Sequence, residues 1–393
     1  MDDPLVLWLI ISVLAALAAT VLLVVMKLIH RMYLRWQGAR MAHYIAAIGE
    51  MVSRKLLPER PAPGWARDPL FHRALAEYRL SLVGSERGFI DDLVEYLGVL
   101  DVLVDRIGKP FRPSARLASV ATFVDLATES YVDDLRGLLG DPSHHIAIHA
   151  AKGLSRLRDI PSVAPILDRA VEASPWHAAR LADALVGYGP VVGPPARAWI
   201  ERSIDDPQPP IKTVALAVRV LGQVSDPAAE DLLVSILASD QPQWRVAAAS
   251  ALGFVGGNSA ATALISALSD RHWPVRARAA ASLGHLAVAS ATDQLRPLLN
   301  DEMWWVRQNA AEAIGRLPGG TEVLVKALSG NDPFAADAAL YQLTLQGAVV
   351  EAARRSRTGK PTRVDVDLLA HVGNLPIDAQ PLVMGLTGLE SVL

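Results

Sequence analysis

The stretch DRHWPVRARAAASLGHL, Asp270–Leu286, has two close relatives elsewhere in this chain of 393 residues. SDQPQWRVAAASALGFV precedes it and DEMWWVRQNAAEAIGRL follows it. The glycines near the ends of these copies, and of a fainter copy upstream, are equally spaced, at Gly222, Gly253, Gly284 and Gly315. A fixed period within the range of roughly 20–50 residues indicates a solenoid of stacked helical units. The predicted fold class is therefore all-α.

Each copy predicts two helices. The apolar stretch SAATALISALSD predicts the first, and WPVRARAAASLG predicts the second. Asp270 and Asp301 stand where an N-cap is expected, and Gly284 and Gly315 stand where a C-cap is expected. One such pair has too little apolar surface to be stable alone, so we expect each pair to pack on its neighbours.

The repeats resemble the HEAT-repeat family, in particular the short bacterial HEAT-like repeat associated with phycobilisome lyases. The pattern D-x4-VR-x2-AA-x2-LG is met from Asp270 to Gly284, and again from Asp301 to Gly315 with Ile314 in place of leucine. The resemblance covers Phe111–Gly347 and is clearest in the middle. It implies a right-handed α-solenoid of HEAT-like helix pairs in a bacterial protein.

One basic position recurs along the repeats, at Arg116, Arg245, Arg276 and Arg307. Such a column of arginines could bind an anionic ligand. The aspartates with the same spacing, Asp270 and Asp301, favour a structural ladder that joins one repeat to the next, and the family resemblance implies the same.

Tryptophans cluster near the start of the second helices, and they are the candidate partner-binding residues: Trp176, Trp244, Trp273, Trp304 and Trp305. Residues at one repeat position form a stripe along a solenoid, and tryptophan is enriched at the energetic centres of protein interfaces. Two interpretations remain open at this point. The rings pack over the adjoining repeats, or they form a contact surface for a partner.

The N-terminal stretch Leu5–Met26 is apolar and has no charged side chain. At about 1.5 Å per residue it reaches roughly 33 Å, enough to cross the hydrocarbon core of a membrane. Asp2 and Asp3 precede it, whereas Lys27, Arg31, Arg35 and Arg40 follow it. The positive-inside rule then predicts an outside N-terminus and a cytoplasmic body. The acidic start and the long apolar run argue against a cleaved signal peptide.

Two interpretations also remain open for the basic segment that follows the apolar stretch. Its arginines alternate with Met32, Tyr33, Trp36 and Tyr44. A helix of this kind could lie along the inner leaflet with its basic side chains near anionic headgroups. Alternatively, it continues the membrane helix as a stalk and begins the soluble fold.

Composition excludes several classes of site. The chain has no cysteine, so it forms neither disulfides nor thiolate metal sites. Its net charge of -3 is too near neutral for a nucleic-acid-binding chain. His145 and His149 are four residues apart on a predicted helix, but the spacing sets no third metal ligand. The segments TGKPT and DVD lack the context of a phosphate loop or a glycosyltransferase motif. We therefore predict no metal, no cofactor and no catalytic residue.

The predicted organisation has six segments. They are a short extracytoplasmic N-terminus (1–4), a transmembrane helix (5–29), a basic juxtamembrane helix and linker (30–64), a helical N-cap region (65–110), the HEAT-like repeats (111–350), and a basic linker with a C-terminal tail (351–393). Around Pro58–Trp65, the sequence PERPAPGW predicts a break in the helix.

The predicted function is a scaffold at the inner membrane. The cytoplasmic solenoid would hold a membrane-associated protein partner, in an envelope polysaccharide complex or a signalling complex. The lyase resemblance implies an alternative, a bilin lyase-like subunit, although a membrane anchor does not suit an enzyme that acts on soluble phycobiliproteins. A second alternative is a solenoid that senses a small ligand. The apolar tail Pro376–Leu393 predicts either a cap on the repeats or a docking peptide.

Overall fold

A computed structural model describes residues 4–58, 64–109 and 113–373. Within these ranges the backbone forms 21 α-helices, joined by turns and short 3-10 helices, and no β-strand. The predicted all-α repeat fold is therefore confirmed. The chain divides into two compact units, Met1–Leu157 (unit 1) and Arg158–Leu393 (unit 2). Three predicted features lie wholly or partly outside the described residues. They are the break after Pro58, the start of the repeats at Phe111 and the apolar tail.

Unit 1 contains seven α-helices. They are α1 (Pro4–Arg54), α2 (Pro69–Leu80), α3 (Ser85–Tyr96), α4 (Val99–Ile107), α5 (Pro113–Leu126), α6 (Val132–Leu139) and α7 (His144–Arg156). The predicted helical N-cap region (65–110) contains α2, α3 and α4. The chain turns at Gly98, whose φ of 63° lies in the left-handed region that glycine tolerates best.

Helix α1 is continuous over 51 residues, so the apolar stretch and the basic segment form one helix. From Ile11 onward, this helix is long and apolar enough to cross a membrane, and none of its most apolar 18-residue window is buried. Its other end belongs to the folded unit. Tyr44, Ile48 and Val52 are buried, and the Tyr44 ring meets Phe71 of α2 edge-on at 5.5 Å. The structure therefore supports the second interpretation of the basic segment, in which it continues the apolar helix and begins the folded unit.

The described part of unit 2, residues 158–373, contains the other fourteen α-helices. They are α8 (Val163–Val171), α9 (Pro175–Val186), α10 (Gly193–Ile204), α11 (Ile211–Gln223), α12 (Glu230–Leu237), α13 (Pro242–Val255), α14 (Asn258–Ala267), α15 (Trp273–His285), α16 (Thr292–Leu295), α17 (Trp304–Arg316), α18 (Gly320–Leu328), α19 (Pro333–Leu345), α20 (Ala348–Arg357) and α21 (Arg363–Gly373). They pair in chain order. The second helix of each pair packs on the second helix of the next pair. These second helices are α9, α11, α13, α15, α17 and α19.

The repeat glycines do not cap helices, which corrects the sequence prediction. Gly284 lies inside α15, whose C-cap is Leu286, and Gly315 lies inside α17, whose C-cap is Leu317. A Cβ atom on Gly284 would come within 2.6 Å of the Cα of Ala313 in the next second helix. Glycine is needed here because the two helix backbones approach so closely.

The aspartates are not N-caps either. The N-cap of α15 is His272 and that of α17 is Met303, two residues beyond Asp270 and Asp301 respectively. Each aspartate instead accepts the backbone N–H two residues further on, at 2.7 Å from His272 and 2.9 Å from Met303. Such Asx turns set the direction in which the second helix begins.

The predicted basic linker after residue 350 is helical. Arg354, Arg355 and Arg357 lie in the last turn of α20, and Arg363 begins α21. Asp365 of the DVD sequence is buried and accepts hydrogen bonds from Arg355, at 2.9 Å from its Nε, and from Thr362. One more helix pair therefore follows the predicted end of the repeats, and the TGKPT and DVD segments have structural roles in it.

Candidate partner-binding face

The arginine column joins consecutive repeats through ion pairs. Arg245 donates to both carboxylate oxygens of Asp270, at 2.7 and 2.9 Å, and Arg276 donates to those of Asp301 at the same distances. Arg116 contacts Asp141 in the same bidentate way. Each pair connects a second helix to the turn that precedes the next second helix.

These pairs are largely withdrawn from solvent. The side chains of Arg276 and Asp301 are 14% and 10% exposed. Burial alone would raise the pKa of Asp301, but the hydrogen bonds from Arg276 and from the Met303 N–H lower it below its usual value. The same kinds of contact lower the pKa of Asp270. Because the guanidinium groups of Arg116, Arg245 and Arg276 already bind a carboxylate, these three do not offer free positive charge to an anionic ligand.

Arg307 departs from the pattern. It donates to the carbonyl oxygens of Asp301 and Glu302, and its guanidinium lies 5.0 Å from the centre of the Phe334 ring. Asp332, at the position where the spacing places its partner, caps α19 instead. The sequence pattern also misses a pair, Arg197 with Asp226, because the spacing of these two residues differs from that of the column.

Of the candidate tryptophans, Trp244 is buried, which corrects its prediction as a contact residue. Only 6% of it is exposed, and its indole N–H donates to the carbonyl oxygen of Ile211 at 2.9 Å. Trp273 is half-buried. Trp176, Trp304 and Trp305 are each at least half exposed. The partner-binding role of these four remains a prediction.

Two of the exposed tryptophans, Trp176 and Trp305, occupy the same position of their second helices. The second residues of α9, α11, α13, α15, α17 and α19 are Trp176, Lys212, Gln243, Pro274, Trp305 and Phe334. The ninth residues, two turns further on the same side, are Asp183, Arg219, Ser250, Ala281, Glu312 and Tyr341. We call the surface defined by these two positions the second-helix face.

A groove of about 650 Å³ runs along this face across α9, α11, α13 and α15. Small side chains form much of its lining, among them Ala178, Ala215 and Ala247. Lys212, Arg219 and Arg278 also line it and are exposed. In the part of the chain that the structure describes, no carboxylate lines this groove or forms an ion pair with these three cations. The groove is therefore electropositive with an apolar floor.

The face changes character at α17 and α19. A groove of about 440 Å³ lies between these helices and is lined by Trp304, Tyr341 and Leu345, all about half exposed. Glu312 and Arg316 also line it and form an ion pair at 2.5 Å. This end of the face offers aromatic and aliphatic surface, and the charges of Glu312 and Arg316 beside it balance each other.

The sequence did not single out Lys212, Arg219, Arg278, Tyr341 or Leu345. The constant repeat spacing could have identified Lys212 and Arg219. Lys212, for example, lies three repeats before Trp305 at the same position of the repeat. The sequence alone does not show whether a charged residue of a repeat forms an ion pair, as Arg245 does, or stays unpaired. Only the folded structure distinguishes the two cases.

The histidines do not form a metal centre in the described ranges, where no group of three or more histidine, aspartate or glutamate side chains has a suitable arrangement. Burial lowers the pKa of His149 on α7, and the neighbouring Lys152 lowers it further. Both effects favour the neutral imidazole.

A family model described as HEAT repeats matches residues 196–270 and 261–344. No curated protein matches the sequence. Among solved structures, a mutant of Kap121p aligns with a TM-score of 0.55 and 13% identity, over 81% of this chain and 40% of that chain. The chain thus spans about two fifths of the length of Kap121p.

Two further structures align with lower TM-scores. The CpcE–CpcF complex of phycocyanin lyase from Nostoc sp. PCC7120 has a TM-score of 0.32 and 21% identity, over 68% of this chain and 96% of that chain. Human deoxyhypusine hydroxylase has a TM-score of 0.27 and 20% identity, over 63% of this chain and 95% of that chain. The matched residues 196–344 are thus HEAT repeats, and the Kap121p alignment shows that the chain has a helical solenoid fold.

Proposed function

We propose that this chain is a non-catalytic scaffold, anchored in the inner membrane by α1, that binds a protein partner on the second-helix face. A scaffold tethered in this way raises the effective concentration of its partner near membrane enzymes or receptors. The long apolar part of α1 supports the anchor, because it is exposed while the far end of the same helix packs into unit 1.

The observation that carries the partner proposal is the electropositive groove. Lys212, Arg219 and Arg278 are exposed above a floor of small side chains, and no carboxylate within residues 4–58, 64–109 and 113–373 pairs with them. Electrostatic complementarity favours an acidic segment, because like charges across an interface are costly. A floor of alanines leaves room for the backbone of an extended peptide. We therefore propose an acidic segment of a membrane-associated protein as the ligand of the groove.

The aromatic end supplies apolar anchors for the same partner. Trp304 and Trp305 meet edge-on with ring centres 4.5 Å apart. Large aromatic side chains commonly dominate binding energy once they are covered. The partner would thus combine an acidic stretch over α11 to α15 with apolar side chains at α17 and α19.

A charge-reversal experiment tests the groove. We would crosslink and affinity-purify full-length protein from native membranes, comparing the wild type with a Lys212→Glu/Arg219→Glu/Arg278→Glu variant. The matched control reverses three exposed cations elsewhere, Lys152→Glu/Arg202→Glu/Lys360→Glu. We expect the groove variant to lose a stoichiometric partner and the control to retain it. Equal retention by both variants would exclude the groove as the binding surface.

Because the chain has no cysteine, single cysteines can report the membrane orientation. We expect Asp3→Cys to react with a membrane-impermeant maleimide in intact cells. Ser329→Cys, at an exposed position after α18, should react only after the membrane is opened. Labelling of Ser329→Cys in intact cells would contradict the cytoplasmic location of the repeats.

A further inference from the structure

Unit 1 contains a pocket of about 540 Å³ between α2, α4 and α5. This volume lies in the range of small-molecule sites in proteins. We call it the unit 1 pocket, and its lining residues are Pro69, Leu70, Arg73, Leu103, Arg106, Lys109, Ala115, Arg116, Ala118, Ser119 and Thr122. Unit 2 and the second-helix face contribute nothing to it.

The described lining of this pocket contains four cationic side chains and no carboxylate. Arg116 already binds Asp141. Arg73 and Lys109 form ion pairs with Glu77 and Asp105 one helical turn away, but all four of these side chains are substantially exposed. Exposed pairs of this kind contribute little, so both cations can turn toward an anion at small cost.

Arg106 distinguishes this pocket from an ordinary basic surface. Its Nη2 donates to the carbonyl oxygen of Arg67, but its Nη1 is buried and has no acceptor among the residues that the structure describes. A buried guanidinium N–H without an acceptor is costly, and native proteins rarely leave one. The Arg106 side chain also has no carboxylate partner in the described residues. An acidic group of a ligand in the pocket would supply the countercharge that Arg106 lacks.

The rest of the lining is apolar. Leu103 is buried, and Leu70, Ala115 and Ala118 present hydrocarbon to the same space. Apolar walls beside a few fixed polar groups are typical of sites for ligands with an apolar body. A small inorganic anion would satisfy Arg106 but leave these walls uncovered.

We propose that the unit 1 pocket binds an anionic amphiphile, with the acidic head at Arg106 and an alkyl chain over Leu70, Leu103, Ala115 and Ala118. An anionic phospholipid of the membrane and a free alkyl acid share this chemistry. The site does not depend on the proposed binding of a protein partner to unit 2.

The test uses dodecyl phosphate as the probe, added to full-length protein in an uncharged detergent and followed by isothermal titration calorimetry. Inorganic phosphate supplies the head alone, and dodecanol supplies the chain alone. We expect dodecyl phosphate to bind at one site and each of the other two to bind at least about tenfold more weakly. Equal binding of inorganic phosphate would reduce the site to an anion-binding surface and overturn the proposal.

Two variants examine the two parts of the pocket separately. Arg106→Gln removes the charge, and Ala118→Phe fills the apolar space without changing any cation. Each should weaken dodecyl phosphate binding by about tenfold or more. Lys152→Gln, at an exposed cation on α7, is the matched control and should bind as the wild type does. Circular dichroism checks that each variant is folded. Normal binding by a folded Ala118→Phe variant would overturn the proposal.

The source of the ligand follows from a second arm in lipid nanodiscs. If a membrane phospholipid occupies the pocket, nanodiscs of phosphatidylglycerol should abolish dodecyl phosphate binding, whereas phosphatidylcholine nanodiscs should not. If the ligand is a free alkyl acid, binding should persist in both. Absence of binding in detergent and in both kinds of nanodisc would exclude the site.

Discussion

Each bidentate arginine–aspartate pair between repeats holds two charges where little water reaches. A carboxylate removed from such a pair leaves a buried guanidinium without a countercharge, which costs more than the pair itself contributes. Asp301 also accepts the N–H of Met303, so it fixes the entry into α17 as well. The residue therefore couples the position of one repeat to the start of the next helix.

We predict that Asp301→Ala lowers the free energy of unfolding by about 2–4 kcal/mol, because Arg276 stays buried and keeps only the exposed Glu302 carboxylate, at 3.9 Å. The measurement is urea denaturation of the full chain in uncharged detergent. Asp293→Ala is the matched control, since it removes an ion pair with Arg296 in which the side chains are 82% and 58% exposed. It should cost less than about 1 kcal/mol. If both variants lost the same free energy of unfolding, the inter-repeat pair would contribute no more than an exposed surface pair.

Sequence spacing predicts these pairs well but not completely. Two arginines of one column, Arg276 and Arg307, each have an aspartate at the same distance further along the chain, yet only Arg276 binds it. Asp332 hydrogen-bonds the backbone at the start of α19, and the Phe334 ring lies beside Arg307. Asp301 makes the same backbone hydrogen bond and still binds Arg276, so that bond alone does not exclude an arginine. What differs is the helix start, since Asp332 directly precedes α19 whereas Asp301 lies three residues before α17. The repeat pattern does not show this difference.

At the scale of the helices, the repeat is held by close approach of consecutive second helices. Gly222 and Gly284 each lie against the backbone of an alanine in the next second helix, and Gly253 lies against Ser282. The Ser282 hydroxyl donates to the carbonyl oxygen of Ala249 at 2.8 Å, across the same interface. Small residues at these positions allow dispersion contacts between backbones that larger side chains would prevent.

We predict that Gly284→Ala lowers the free energy of unfolding by about 1–3 kcal/mol, despite the better helix propensity of alanine. The added Cβ would lie 2.6 Å from the Cα of Ala313, so α15 and α17 must separate. Gly137→Ala in α6 is the control, since its Cβ meets nothing within 4 Å. It should stabilise by about 0.5–1 kcal/mol. Urea denaturation distinguishes the two, and a stabilised Gly284→Ala would contradict the tight interface.

The helix scale also decides what the tryptophans can do. Trp244 is the third residue of α13 and points into the packing between helices, whereas Trp305 is the second residue of α17 and remains exposed. A difference of one residue rotates a side chain by about 100° around a helix. The sequence alone does not fix helix starts that finely, so it grouped both residues in one stripe.

At the scale of the whole molecule, we expect the stability of unit 1 to depend on pH. Unit 1 buries an ionisable group in its core, because His72 of α2 has no exposed surface and its Nε2 lies 2.7 Å from the carbonyl oxygen of Ala66. Burial lowers the pKa of His72, and the nearby Arg106 charge lowers it further. The folded unit therefore holds this imidazole neutral.

We predict that unit 1 loses stability as the pH falls below about 6.5, the ordinary pKa of histidine in an unfolded chain. Between that value and the lower folded pKa, the unfolded state binds more protons, so the free energy of unfolding falls by up to about 1.4 kcal/mol per pH unit. Hydrogen exchange of α2 at pH 7, 6 and 5 measures this. His72→Gln should flatten the dependence, leaving a smaller slope from His149.

The control for this titration is His285→Gln, an exposed position in unit 2. It should leave the pH dependence of α2 as in the wild type. A His72→Gln variant with an unchanged slope would show that other groups of unit 1 carry the acid sensitivity.

The sequence by itself determined the helical repeat, the length of the apolar N-terminal stretch and the aspartate–arginine spacing. All three are periodic or continuous signals that a chain carries locally. Only the tertiary structure decided that the glycines are packing residues and that Trp244 is buried. It also decided that, within the described ranges, Arg307 pairs with no aspartate and a buried N–H of Arg106 has no acceptor. Burial and pairing depend on which side chain of the next helix arrives at each position, and that is fixed only when the helices pack.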